Sequence, residues 1–140
     1  MSKSAKAWIA VLLLALLVWL SVDRASPERR VRRYVETHRE PLQTAADLYF
    51  EQGKPLSYGG DILAVNDWSG RHPMVEYLLF TTIGGYYGFY YSPDDVPLAF
   101  QNIDCPLTET DTGWQWQGGG DNHGSTWQIA PCWYYFEAFF

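Results

Sequence analysis

Tyr86-Tyr87-Gly88-Phe89-Tyr90-Tyr91-Ser92-Pro93-Asp94-Asp95 sets five aromatic rings around one glycine and then stops them with a proline and two aspartates. Aromatic side chains favour a pleated, half-buried surface, and Ser-Pro-Asp-Asp supplies the fixed φ and the side-chain acceptors of a type I turn. The stretch therefore reads as a strand running into a turn. Alternation places Tyr87, Phe89 and Tyr91 on one face and Tyr86, Gly88 and Tyr90 on the other, with a notch at the glycine. Immediately upstream, Met74 to Ile83 is a second apolar run, and Gly84-Gly85 turns it back as a hairpin.

The same punctuation recurs in both directions. Ile62 to Asn66 predicts a short strand before the loop Trp68-Ser69-Gly70-Arg71-His72-Pro73. Pro93 to Asp111 holds three prolines and little periodicity, which predicts a long surface connection. Trp114-Gln115-Trp116-Gln117 alternates two indoles with two amides, and the loop from Gly118 to Gly124 separates it from a strand over Thr126 to Ile129. The segment Trp133-Tyr134-Tyr135-Phe136-Glu137-Ala138-Phe139-Phe140 is too apolar to lie at an exposed edge, and predicts a strand paired inside the sheet.

Residues 23–54 follow a different period. Ser26-Pro27-Glu28 has the signature of a helix start, and Val31, Tyr34, Val35, His38, Leu42, Ala45, Leu48 and Tyr49 recur at helical spacing. Pro41 falls inside that pattern and predicts a kink or a split near it, while Gly53 and Pro55 mark the end. His38 is expected on the packed face as a structural histidine. The fold class predicted is α+β: an amphipathic helix packed on an antiparallel sheet of about five or six strands, within one domain.

Ahead of this lies Ala7 to Val22, a run without a charged residue, preceded by Lys3 and Lys6 and carrying Trp8 and Trp19 near its ends. It reads as an uncleaved transmembrane anchor, since the far end lacks a small-x-small cleavage site. The chain so divides into residues 1–22 (n-region and anchor), 23–54 (basic juxtamembrane segment and helix) and 55–140 (aromatic sheet). Five arginines between Arg24 and Arg33 argue for a cytoplasmic domain. An even pair, Cys105 and Cys132, could close a disulfide in an oxidising compartment and argues for an extracytoplasmic one, as does the aromatic-rich, lysine-poor composition. The extracytoplasmic side is the expectation.

Charge excludes one class of partner. Residues 55–140 contain ten acidic residues against the single Arg71, whereas nucleic-acid phosphates require clustered Lys and Arg. Three clusters are candidates for function. Asp121, Asn122 and His123 sit in a glycine-rich loop, where a carboxylate beside an imidazole suits general-base or metal chemistry, although Asp, Asn and Gly are also what turns demand. Asp94 and Asp95 could join Asp121 around a divalent cation, without the spacing of a known loop. Trp114 and Trp116, with Tyr86 and Tyr90, could form a platform for sugar rings or apolar side chains, or simply the core. No nucleophile elbow, phosphate loop, dinucleotide fingerprint or Cys-x-x-Cys is present, and no cofactor is implied.

The segments Tyr86 to Asp95, Gly120-Asp121-Asn122-His123-Gly124 and Trp133-Tyr134-Tyr135-Phe136-Glu137-Ala138 resemble those of small, uncharacterised single-pass membrane proteins of Gram-positive bacteria. No activity is assigned to that family, so the resemblance implies an anchored domain outside the membrane and carries no functional residue. The reading expected is a membrane-anchored binding domain for an unknown protein or envelope glycan, without catalysis. Two alternatives stand beside it: a metal-assisted hydrolase centred on Asp121 and His123, and a cytoplasmic-facing acidic inhibitor or immunity-type module.

Overall fold

The computed structural model describes residues 3–56 and 59–140, in two compact units, Met1–Arg30 and Val31–Phe140. In the first, helix α1 (Lys3–Ala25) carries large apolar side chains at successive positions, all open to the surroundings: Trp8 is 69% exposed, Leu12 66% and Trp19 62%. Among the described residues no helix is long and apolar enough to cross a membrane. At ~1.5 Å per residue the run Ala7 to Val22 rises ~24 Å, short of a ~30 Å hydrocarbon core. Ser26 then caps the next helix, accepting from the Arg29 amide at 3.3 Å, and Pro27 takes the first helical position as expected.

Helix α2 (Pro27–Gln52) buries Val31, Val35, Leu42 and Ala46. The expected kink falls at His38, where φ is -112° and ψ 16°, three residues before Pro41. Proline has no N–H for the turn before it, and its ring crowds the carbonyl four residues back. His38 is exposed rather than packed: its Nδ1–H donates to the Tyr34 carbonyl at 2.9 Å and its ring stacks on Tyr34 at 4.2 Å. Gly53, at φ 64°, ends the helix by donating to the Tyr49 carbonyl, and Lys54 donates to that of Leu48.

The sheet has seven strands rather than five or six: β1 (Ala64–Trp68), β2 (Met74–Thr82), β3 (Gly85–Tyr91), β4 (Leu107–Glu109), β5 (Trp114–Gln117), β6 (His123–Ala130) and β7 (Trp133–Phe139). They are all antiparallel, in the order β1-β2-β3-β7-β6-β5-β4, so the apolar terminal strand is central, as its composition required. Sequence reading placed His123 and Gly124 in a loop, but both are paired residues of β6.

One face of the sheet lies under α2. Val75, Tyr77 and Leu79 of β2, Tyr87, Phe89 and Tyr91 of β3, and Trp133 and Tyr135 of β7 form one cluster with the buried face of the helix. On the opposite face, Met74, Tyr90, Trp116, Tyr134, Phe136 and Ala138 are covered by Leu98, Ala99 and Phe100. The stretch expected as a surface connection is thus a packed layer, with a short 3-10 turn at Phe100–Asn102. Its prolines prevent regular structure without preventing burial. The notch at Gly88 is filled: a Cβ there would lie 2.0 Å from the Tyr77 carbonyl oxygen and 2.8 Å from the Phe136 ring.

Candidate functional site

Strand register lays out a broad polar surface on the sheet. The cluster under α2 takes no residue from β4 or β5, so on the helix-facing side these strands and the start of β6 are left uncovered. Cross-strand pairing lines up Thr108, Gln115, Ser125 and Glu137 across β4, β5, β6 and β7, with Gln117, His123 and Phe139 in the next row. Directly paired residues share a face, so these side chains project together. Thr108, Gln115, Gln117, His123 and Ser125, with Pro106 and the strand residues Trp116 and Gly124, line a shallow groove of about 470 Å³; Glu137 and Phe139 lie beside it.

Local contacts fix the chemistry of the groove. The His123 Nδ1–H donates to the Asp121 carbonyl at 2.7 Å, because a carbonyl can only accept; in the neutral ring this leaves Nε2 as an acceptor. The ring lies on Phe139, centroids 5.4 Å apart. Gln117 Nε2 donates to the carbonyls of Gly120 and Asn122, which closes the β5–β6 turn and leaves its Oε1 free to accept. No hydrogen bond to another described residue engages the side chains of Thr108, Gln115 or Ser125. At the β7 side of the first row, Glu137 accepts from the Tyr135 hydroxyl at 3.0 Å.

The expected platform lies elsewhere. Trp116 is 3% exposed on the loop-covered face, its indole laid against Gly124 and its Nε1–H without a partner. Trp114 is half-buried on the same side, 6.4 Å from the Tyr134 ring. Tyr90 is fully buried, its hydroxyl bonded to Thr126 and accepting from the Leu98 amide, each at 2.8 Å, and burial pushes its pKa up, disfavouring the phenolate. Tyr86 packs against Phe100 and Phe140. The amides of the Trp-Gln-Trp-Gln alternation, not its indoles, face outward. Alternation divides the two sets but cannot say which face the fold leaves open.

Nor do the acidic candidates converge. Asp95, at φ 51°, accepts through Oδ1 from Gln128 Nε2, the Cys132 amide and the Tyr134 hydroxyl, near the end of β6. Asp94 pairs with His72 at 2.8 Å. Asp121 and His123 are at the start of β6, eight residues long, so the two pairs lie ~20 Å apart along the strand. Among the described residues no group of three His, Cys, Asp or Glu side chains could hold a metal ion. Cys105 and Cys132 are free thiols rather than a disulfide, packed against the loop-side and helix-side clusters respectively. Burial pushes the pKa of both thiols up and so disfavours the thiolate, with a smaller push from Asp104 and Asp95.

A further polar group was not singled out in the sequence. Glu76 on β2 is 1% exposed, yet no basic side chain pairs with it among the described residues. Its Oε1 accepts from the Trp68 indole at 3.2 Å and its Oε2 from the Gln101 amide at 2.7 Å. Burial drives its carboxyl up from 4.5 to about 7, against the lowering effect of those two donors. Gln101 and Asn102 are both left-handed, at φ 56° and 53°, and Asn102 Nδ2 donates to the carbonyls of Trp68 and His72. Glu76 and Asn102 thus tie the covering loop to the first hairpin. The signal was present: one acid inside Met74-Val75-Glu76-Tyr77-Leu78-Leu79-Phe80.

No protein-family model, curated protein or solved structure matches this chain.

Proposed function

We propose that this chain is a membrane-tethered binding module, in which the open helix-side face over β4, β5 and β6 contacts a ligand and α1 holds the domain at a bilayer. The carrying observation is the groove: polar side chains from three strands, set on a rigid sheet, with several donors and acceptors uncommitted. Polar atoms placed by a ladder rather than a loop are pre-organised, which lowers the ordering cost of binding.

The tether rests on α1. Exposed apolar side chains around a helix need a cover, and Trp8 and Trp19 suit the two interfaces of a thin or locally thinned bilayer. In its single-span form the proposal has the domain on the extracytoplasmic side, a reading supported by the resemblance noted above and by the aromatic-rich, lysine-poor composition. Washing membranes of expressing cells with alkaline carbonate tests the tether: retention of the full chain is expected, and release refutes it. A second reading, a cytoplasmic acidic inhibitor of a basic partner, is favoured by the arginines from Arg24 to Arg33. A C-terminal reporter active only after export separates the two.

A further inference from the structure

We infer that the groove over β4, β5 and β6 is a subsite for a neutral glycan, held by hydrogen bonds to the side chains of Thr108, Gln115, Gln117, His123 and Ser125. This rests on the proposal that the groove is the ligand-contacting surface, and adds the chemical class. No residue lining the groove carries a formal charge, the imidazole aside, while the surrounding residues 55–140 hold ten acidic residues and one arginine. Polyanions are repelled by that field, and the carboxylate beside the groove, that of Glu137, is outside its lining and already accepts from the Tyr135 hydroxyl.

Thr108, Gln115 and Ser125 can each donate and accept, and the acceptors Gln117 Oε1 and His123 Nε2 stand beside them. A sugar hydroxyl likewise donates and accepts at one atom, so a ring of hydroxyls can satisfy such a set without leaving any member unpaired. An extended peptide is matched less well. The backbone groups of β5 and early β6 are spent on the ladder, so a peptide main chain could join only the outer edge of β4, which is three residues long. The five residues lie in two adjacent rows, which suits a ligand with polar groups around its rim.

The test uses the full chain in lipid nanodiscs, free of sugar-based detergent, on a microarray of neutral oligosaccharides. Its hits are then titrated while the side-chain NMR signals of labelled Gln and His are followed. At least one neutral glycan is expected to bind and to shift Gln115, Gln117 and His123, and Gln115→Ala and Ser125→Ala are each expected to weaken it at least tenfold. Both side chains project from the sheet surface, so unchanged thermal unfolding of the variants certifies their fold. If an uncharged Ser/Asn/Gly octapeptide shifts these signals and no glycan does, the glycan class is overturned and the binding face stands. If neither shifts them, both fail.

Discussion

Replacing Glu76 by glutamine should make the domain's stability respond differently to pH, in a direction set by burial. The folded carboxyl titrates near 7, against 4.5 when exposed, because the sheet and the loop over it exclude water and supply no cation. A carboxyl raised in this way binds its proton more tightly in the folded state. Its contribution to stability is therefore fully present below pH ~4.5, falls as pH rises, and is lost above ~7. At ~1.36 kcal/mol per pH unit the loss is ~3 kcal/mol. The glutamine amide cannot titrate, but it has one accepting oxygen where the carboxyl has two, and its NH₂ only donates, so either the Trp68 or the Gln101 donor is left unpaired at ~1–3 kcal/mol at every pH. Urea unfolding followed by tryptophan fluorescence from pH 4.5 to 8 reads both effects. The wild type should lead the variant at low pH, and the gap should close by ~3 kcal/mol as pH passes 7. Other titrating groups are common to both chains and cancel in that difference. A gap constant to within ~0.5 kcal/mol across the range would refute the reasoning.

Three further outcomes are expected. Gly88→Ala should destabilise by ~3 kcal/mol or more in urea unfolding, because the added carbon meets the Tyr77 carbonyl at 2.0 Å, whereas Gly119→Ala, with nothing within 4 Å, should stay within ~0.5 kcal/mol. Gln101→Gly should stabilise by up to ~1 kcal/mol, since it relieves a left-handed residue whose exposed side chain packs on no core; clear destabilisation would count against strain at that turn. Under denaturing, non-reducing conditions the chain should release two reactive thiols to a disulfide-exchange reagent, and a count of zero would show that Cys105 and Cys132 are bonded after all.

Pattern carried the elements further than it carried the layers. Hairpin pairing from Met74 to Tyr91, the central place of the last strand and the break near Pro41 each follow from a local signal: Gly-Gly between two apolar runs, a strand too apolar for an edge, a proline within a helical period. What alternation cannot supply is which side of a strand the rest of the chain will cover. Trp114-Gln115-Trp116-Gln117 divides cleanly, yet its indoles, Trp116 buried and Trp114 half-buried, lie on the side covered by Leu98, Ala99 and Phe100, a segment that its prolines disguised as surface. The apolar run Val96-Pro97-Leu98-Ala99-Phe100 was the signal for that burial, and two-sided coverage of β2, β3 and β7 follows from it. Coverage also decides the site. Helix α2 ends at Gln52, before any strand begins, and it packs on the half of the sheet built from β2, β3 and β7. The loop then crosses the opposite face toward β4, so the face that neither layer reaches is the helix-side surface of β4, β5 and early β6. The groove is thus a consequence of connectivity: its residues lie within ordinary strands, and only the strand order β7-β6-β5-β4 shows that they are the ones left uncovered.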